Sequence, residues 1–235
     1  MDFLSGEILL INKPDEWTSF DVVKKIRSTL ERFKNSEGER PYHKIKVGHA
    51  GTLDPLATGL LIVCTGKFTK RIDELMGMEK EYTGTFYLGF TTPSFDMETH
   101  PDKNFPTKHI TEELILKAAE KFKGTQFQTP PAHSATNVDG ERAYEKARRG
   151  EEVKMPSKEI TIHQFEITKI ELPVVEFKVV CSKGTYIRSL ANDFGKELNS
   201  GAYLSSLCRT RIGNFKLSDA YDLLEFCDEI KSQNS

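Results

Sequence analysis

The chain has 235 residues, 37% apolar and 29% charged, which is long enough to bury a core and excludes a disordered chain. Its 33 basic and 35 acidic side chains leave a net charge of −2, so a global basic field is excluded. Any nucleic-acid partner must be held by local clusters or by shape.

The cysteines Cys64, Cys181, Cys208 and Cys227 form no C-x-x-C pair, which argues against a zinc site and against a stapled secreted fold. Cys64 and Cys181 lie in apolar runs, where a thiol acts as a small hydrophobe. The N-terminus lacks a basic n-region and a small-residue cleavage site. No apolar run approaches the roughly 18 to 20 residues that a membrane span needs. The expected setting is a reducing cytoplasm, with no membrane, no metal and no cofactor.

Glu7 to Lys13 is a short apolar run ending in Lys13-Pro14, and predicts a strand leading to a turn. Thr18 or Ser19 then caps a helix with Asp21 in its first turn, and Val23, Ile26, Leu30 and Phe33 form its apolar face. Residues 34–42 read as a loop. The wholly apolar Leu60 to Cys64 predicts a buried segment, strand or helix. Tyr82, Gly84, Phe86 and Leu88 alternate as a half-buried strand does. A loop is expected from Thr92 to Thr107.

A second helix starts at Thr111 and runs through Leu114, Ile115, Ala118, Ala119 and Phe122 to a stop at Gly124. Gln126 to Gly150 is irregular and carries Arg142, Lys146, Arg148 and Arg149. Val175, Phe177, Val179 and Cys181 alternate again. Ser182 to Thr185 turns into a third helix with Ile187, Leu190, Phe194 and Leu198 on one face, ended by Gly201. The expected fold class is α+β, or mixed α/β, with a mixed, largely antiparallel sheet. No linker divides the chain, so one domain over 1–235 is expected, with an insertion at about 126–150.

Phosphate loops, dinucleotide fingerprints, H-E-x-x-H and G-x-S-x-G are all absent from the sequence. Asp54 stands out within Gly48-His49-Ala50-Gly51-Thr52-Leu53-Asp54-Pro55-Leu56-Ala57-Thr58-Gly59. Pro55 favours an extended Asp54, and the glycines allow close backbone approach. Such a carboxylate is a nucleophile or base on a stiff loop, or it merely closes an Asx-turn. Local physics leaves both open. Arg188 stands in the first turn of a helix, where a cation opposes the dipole; a carboxylate or phosphate partner would resolve this, and a solvated arginine is the plain alternative. Tyr82 reads as a core or edge tyrosine. The segment 141–152 balances its charges and reads as a solvated helix.

Taken together, several segments resemble the TruB family of tRNA pseudouridine synthases. They are Asn12-Lys13-Pro14, Trp17 to Val23, Val47 to Gly59, Lys80-Glu81-Tyr82 and Gln128-Thr129-Pro130-Pro131 with Ser134-Ala135. Ala143 to Arg148, Cys181 to Arg188, Gly201 to Leu204 and Leu207-x-Arg209-Thr210 follow in order. The resemblance implies the pseudouridine synthase catalytic fold and a cofactor-free isomerase acting on the T-loop uridine of tRNA. It implies Asp54 as catalytic aspartate, attacking C1′ or taking the 2′ proton. Arg188 would pair with Asp54 and keep it ionised, and Tyr82 would stack on the target base. His49 would fill the space left by the flipped nucleotide, and Leu207 would wall the uracil pocket. Lys13, Asp96 and the 126–150 insertion would contact RNA.

Two positions depart from the family pattern: His133 stands where tyrosine is usual, and Asn137 where lysine is usual. Ser218 to Ser235 is expected to follow the core as an acidic tail, with no appended RNA-binding (PUA) domain. A monomer binding the tRNA T arm is expected. The rival readings are a guide-RNA-dependent synthase and an RNA-binding folding helper for tRNA.

Overall fold

The computed structural model describes residues 1–232. The chain divides into two compact units, Met1–Glu81 with the stretch from Cys208 onward, and Tyr82–Leu207. Each is taken in turn along the chain.

The first unit opens with β1 (Ile8–Lys13) and α1 (Ser19–Arg32). Thr18 caps α1 through a reciprocal capping box with Asp21, and Arg32 complements the dipole in the last turn. β2 (Val47–His49) and β3 (Ala57–Thr65) flank the Asp54 turn, and α2 (Ile72–Gly77) follows. β3 is antiparallel to β1 from Cys64 opposite Ile8 to Gly59 opposite Lys13, and antiparallel to β2 from Thr65 opposite Val47 to Val63 opposite His49.

β3 is apolar on both faces because both are covered. Leu61 and Val63 join Leu9, Ile11, Val22, Ile26 and Leu30 in one buried cluster. Leu60, Ile62 and Cys64 join Ala50, Leu75 and Ile212 in the other. The run at 60–64 is therefore a strand.

β4 (Lys80–Leu88) leads into the second unit. β5 (Phe90–Thr91) pairs with β6 (Lys103–Asn104), so the stretch expected to be a loop through Thr107 contains a short ladder. α3 (Glu112–Lys121) is capped by Thr111, as the sequence predicts, although Leu114 is exposed and the buried face is Ile115, Ala118 and Ala119. β7 (Gly124–Gln128), the two-residue pair β8 (Asn137–Val138) and β9 (Glu141–Arg142), and α4 (Ala143–Arg148) build the irregular segment. β10 (Lys158–Glu171) and β11 (Val174–Cys181) form a long antiparallel ladder with two register shifts.

α5 (Ile187–Glu197) ends at Leu198, with Asn199 in the left-handed region at φ 51°, earlier than the Gly201 stop read from the sequence. Gly201 serves close packing instead: a Cβ there would lie 2.6 Å from the Phe105 ring. The strand order in this unit is β4-β11-β10-β7. Its core is aromatic, with Phe86 stacked on Phe177 at 4.2 Å and Phe165 edge-on to Phe177 and Phe194.

β12 (Ala202–Ile212) returns to the first unit. There it is followed by β13 (Phe215–Lys216), which pairs back on it, and by β14 (Tyr221–Asp222), which is parallel to β1. The strand order in this unit is β14-β1-β3-β12. The region read as an acidic tail contains α6 (Leu223–Ser232), which buries Leu223, Phe226, Cys227 and Ile230 against the α1 cluster. The last three residues of that expected tail lie outside the described residues. β1 with β14 is parallel, whereas β1 with β3, β2 with β3, β7 with β10, β10 with β11 and β12 with β13 are antiparallel, so the sheet is mixed and largely antiparallel, as expected.

Candidate active site

Asp54 stands in the turn between β2 and β3, and its side chain is half-buried. Its carbonyl accepts from the Ala57 amide at 3.1 Å, so the backbone turn that an Asp-Pro pair favours is present. Three buried side chains hold the turn. Lys13, at the end of β1, is 0% exposed, and its ammonium donates to the carbonyls of Pro14, Trp17 and Pro55 at 2.8, 2.6 and 3.0 Å. Ser19, at the start of α1, accepts from the Leu53 amide at 2.8 Å and lies 3.1 Å from the Leu53 carbonyl to which it donates. Arg209, on β12, donates to the carbonyls of Leu60, Gly51 and Thr52 at 2.8, 3.1 and 3.4 Å.

Gly51 and Gly59 bound the turn, each at φ +100°, a conformation open to glycine and strained for other residues. Gly48 has no such backbone; a Cβ there would meet Ile72 at 2.8 Å.

Burial pushes the Lys13 ammonium down to about 8, against the pull of Asp15 and Asp54 and with the help of Arg209. His49, at the end of β2, is half-buried, and its Nδ1 is buried with no hydrogen-bond partner among the described residues. Its pKa is lowered, first by burial and then by the Arg209 charge. The imidazole is therefore held toward its neutral form.

In the second unit, Arg188 occupies the first turn of α5 and is 4% exposed. Its Nη1 lies 3.6 Å from the Asp96 carboxylate, donates to the His133 carbonyl at 2.9 Å and reaches the Ser94 carbonyl at 3.4 Å. These acceptors resolve the cation's place at a helix start. The segment that carries His133 is roped to the same helix start. Gln128 exchanges two hydrogen bonds with the Tyr186 backbone, at 2.8 and 3.1 Å, and Ser189 donates to the Thr129 carbonyl at 2.7 Å. Tyr82 is buried in β4 and Leu207 is half-buried in β12.

Lys13 and Asp96 do not stand where surface contacts stand. Lys13 is fully enclosed beneath the Asp54 turn, and Asp96, 6% exposed, lies against Arg188. Ser19, Ser94 and Arg209 were not singled out from the sequence as site residues. Arg209 had one signal, its place in Leu207-x-Arg209-Thr210. Ser19 had the same kind of signal, its place in Trp17 to Val23, and Ser94 had none, because a serine hydroxyl binding a backbone group leaves no pattern in the sequence.

Comparison with known proteins places the chain in a family. The family model described as TruB family pseudouridylate synthase (N terminal domain) matches residues 39–187. A tRNA pseudouridine synthase B from Flavobacterium johnsoniae is 54% identical over 230 residues, covering 98% of each chain. One from Parabacteroides distasonis is 54% identical over 234 residues, covering 100% of this chain and 97% of its own. Among solved structures, a chain in a Cbf5-Nop10-Gar1 complex superposes with a TM-score of 0.71 at 29% identity, covering 96% of this chain. This chain spans about half, 54%, of that solved chain's length. The chain belongs to the TruB family of pseudouridylate synthases.

Proposed function

We propose that this chain isomerises the T-loop uridine of tRNA to pseudouridine, with Asp54 as the catalytic carboxylate. The observation that carries the reading is the family membership, together with a half-buried Asp54 on a turn whose flanking backbone is fixed by Lys13, Ser19 and Arg209. The tRNA substrate is supported by relatives of matching length named tRNA pseudouridine synthase B. In the reaction the N1–C1′ bond breaks, the uracil turns, and a C5–C1′ bond forms. The C5 proton leaves and N1 takes one up, so the step is an isomerisation that consumes no co-reactant.

Asp54 acts on the ribose, at C1′ or at the 2′ position. Tyr82 stacks on the base and Arg188 serves the same nucleotide. Leu207 walls the uracil, and neutral His49 occupies the space of the flipped nucleotide, which must leave its stack for the base to turn. Lys13 and Asp96 are read as supports of Asp54 and Arg188, given their burial. The 126–150 segment is read as the clamp on the T arm within one catalytic domain. The enzyme is read as a cytoplasmic monomer; among the described residues no helix is long and apolar enough to cross a membrane.

The test is release of tritium to water from T-arm RNA labelled at uracil C5. Release by the pure protein with that RNA alone is expected. Bound RNA without release would leave a folding helper, and release only after a second RNA is added would leave a guide-dependent enzyme.

A further inference from the structure

Arg209 belongs to a segment that carries the family likeness, yet the chemistry above gives it no part. We propose that Arg209 is a positioning residue that sets the backbone of the Asp54 turn, so that turnover rather than RNA affinity depends on it. This rests on the reading of Asp54 as the catalytic carboxylate.

The side chain is 1% exposed and among the largest fully buried ones. A buried guanidinium demands acceptors, and three backbone carbonyls serve it here. The carbonyls come from both arms of the turn. Gly51 and Thr52 lie on the way in, and Leu60 lies on the way out. A planar fork bonded to both arms fixes the spacing between them, which three separate donors on a flexible stem would not do.

Position 59 gives an independent sign of the same fit. A Cβ on Gly59 would come within 2.4 Å of the Arg209 carbonyl oxygen and 2.7 Å of its amide nitrogen. The backbone of β12 thus presses directly on the exit arm, and from that close approach the guanidinium reaches back to the entry arm. Ser19 grips Leu53 from α1, so three consecutive residues before Asp54 are held by side chains. Arg209 supplies two of those three attachments. A displacement of about 1 Å in a reacting group costs on the order of 10²-fold in rate, and of the three braces Arg209 is the one that holds both arms of the turn against it.

The experiment compares wild type, Arg209→Lys and Asp54→Asn in single-turnover tritium release at saturating enzyme. RNA affinity and folded fraction are measured in parallel. Arg209→Lys keeps the buried charge but not the fork. Its release rate should fall by on the order of 10²-fold, with unchanged affinity and with faster amide exchange confined to residues 51–54. Arg209→Met, which also removes the charge, should show the same split.

Full release by Arg209→Lys while Asp54→Asn is dead overturns this proposal alone. Full release by Asp54→Asn overturns the reading of Asp54 beneath it. A rate loss matched by lost affinity, or failure of both Arg209 variants to fold, would make Arg209 an RNA contact or a general core residue and would likewise overturn the proposal.

Discussion

The Lys13 ammonium donates to the Pro55 carbonyl at 3.0 Å, fixing the residue that follows Asp54. The same ammonium closes off the Pro14 and Trp17 carbonyls, so one side chain ties the end of β1, the approach to α1 and the Asp54 turn. Lys13→Met leaves three carbonyls without their donor. Stability should drop by about 2–4 kcal/mol, and tritium release should fall while RNA binding persists. Chemical denaturation and single-turnover release check the two parts.

The Lys13 ammonium should titrate far below its unfolded value. Its pKa is lowered from 10.5 to about 8, chiefly by burial. Between those values the unfolded chain binds more protons than the folded one, so this group's contribution to stability rises with pH across that window and is least favourable below about 8. Carbon-13 NMR of lysine Cε should show one resonance titrating near 8. A set of lysines all titrating near the ordinary value would contradict the burial of this ammonium.

Asp54→Asn preserves size but supplies neither nucleophile nor base. Tritium release should fall by about 10³-fold or more, with T-arm RNA still bound in a gel-shift assay.

Asp96 should matter through Arg188. Its carboxylate lies 3.6 Å from Nη1, with both side chains buried, and it also accepts from the Glu98 amide at 2.9 Å. Asp96→Asn keeps an acceptor for that amide and removes the charge beside Arg188. The expected cost is about 1–3 kcal/mol, with a fall in release rate larger than any change in RNA affinity. An RNA contact would give the reverse split.

Gly59→Ala places a methyl 2.4 Å from the Arg209 carbonyl and imposes a side chain at φ +100°. Neither strain can relax without moving β3 from β12. A loss of about 3 kcal/mol or more is expected by thermal unfolding.

The elements legible in the sequence were those whose burial and polarity agree. α1 announced itself through Thr18, Asp21 and its apolar spacing, and β11 through strict alternation. β10 was hidden because its register shifts after Ile162 and Ile167 break the period-two pattern. β12 was hidden because the polar Ser205, Ser206, Arg209 and Arg211 break its apolar pattern, although Arg209 is enclosed. α6 has a regular apolar face at Leu223, Phe226, Cys227 and Ile230, masked by the acidic composition around it.

The site divides the same way. Asp54 drew notice from its glycines and proline, but local physics could not separate turn from catalyst, and the structure has the turn in any case. The bracing role of the supports was invisible for a different reason. Lys13 and Arg209 bind backbone carbonyls, and every residue has a carbonyl, so no complementary acidic residue marks the partner.

The Arg209 attachment also imposes an order of events on the ribosome. Its bond to Leu60 spans 149 positions of chain. A nascent chain therefore displays the whole Gly48 to Gly59 stretch long before the strand that braces it has been made. Contacts of such separation form late. Until β12 emerges and folds back, the Asp54 turn lacks one of its three braces, and the newborn protein carries the Gly48 to Gly59 stretch without the full framework that fixes its backbone.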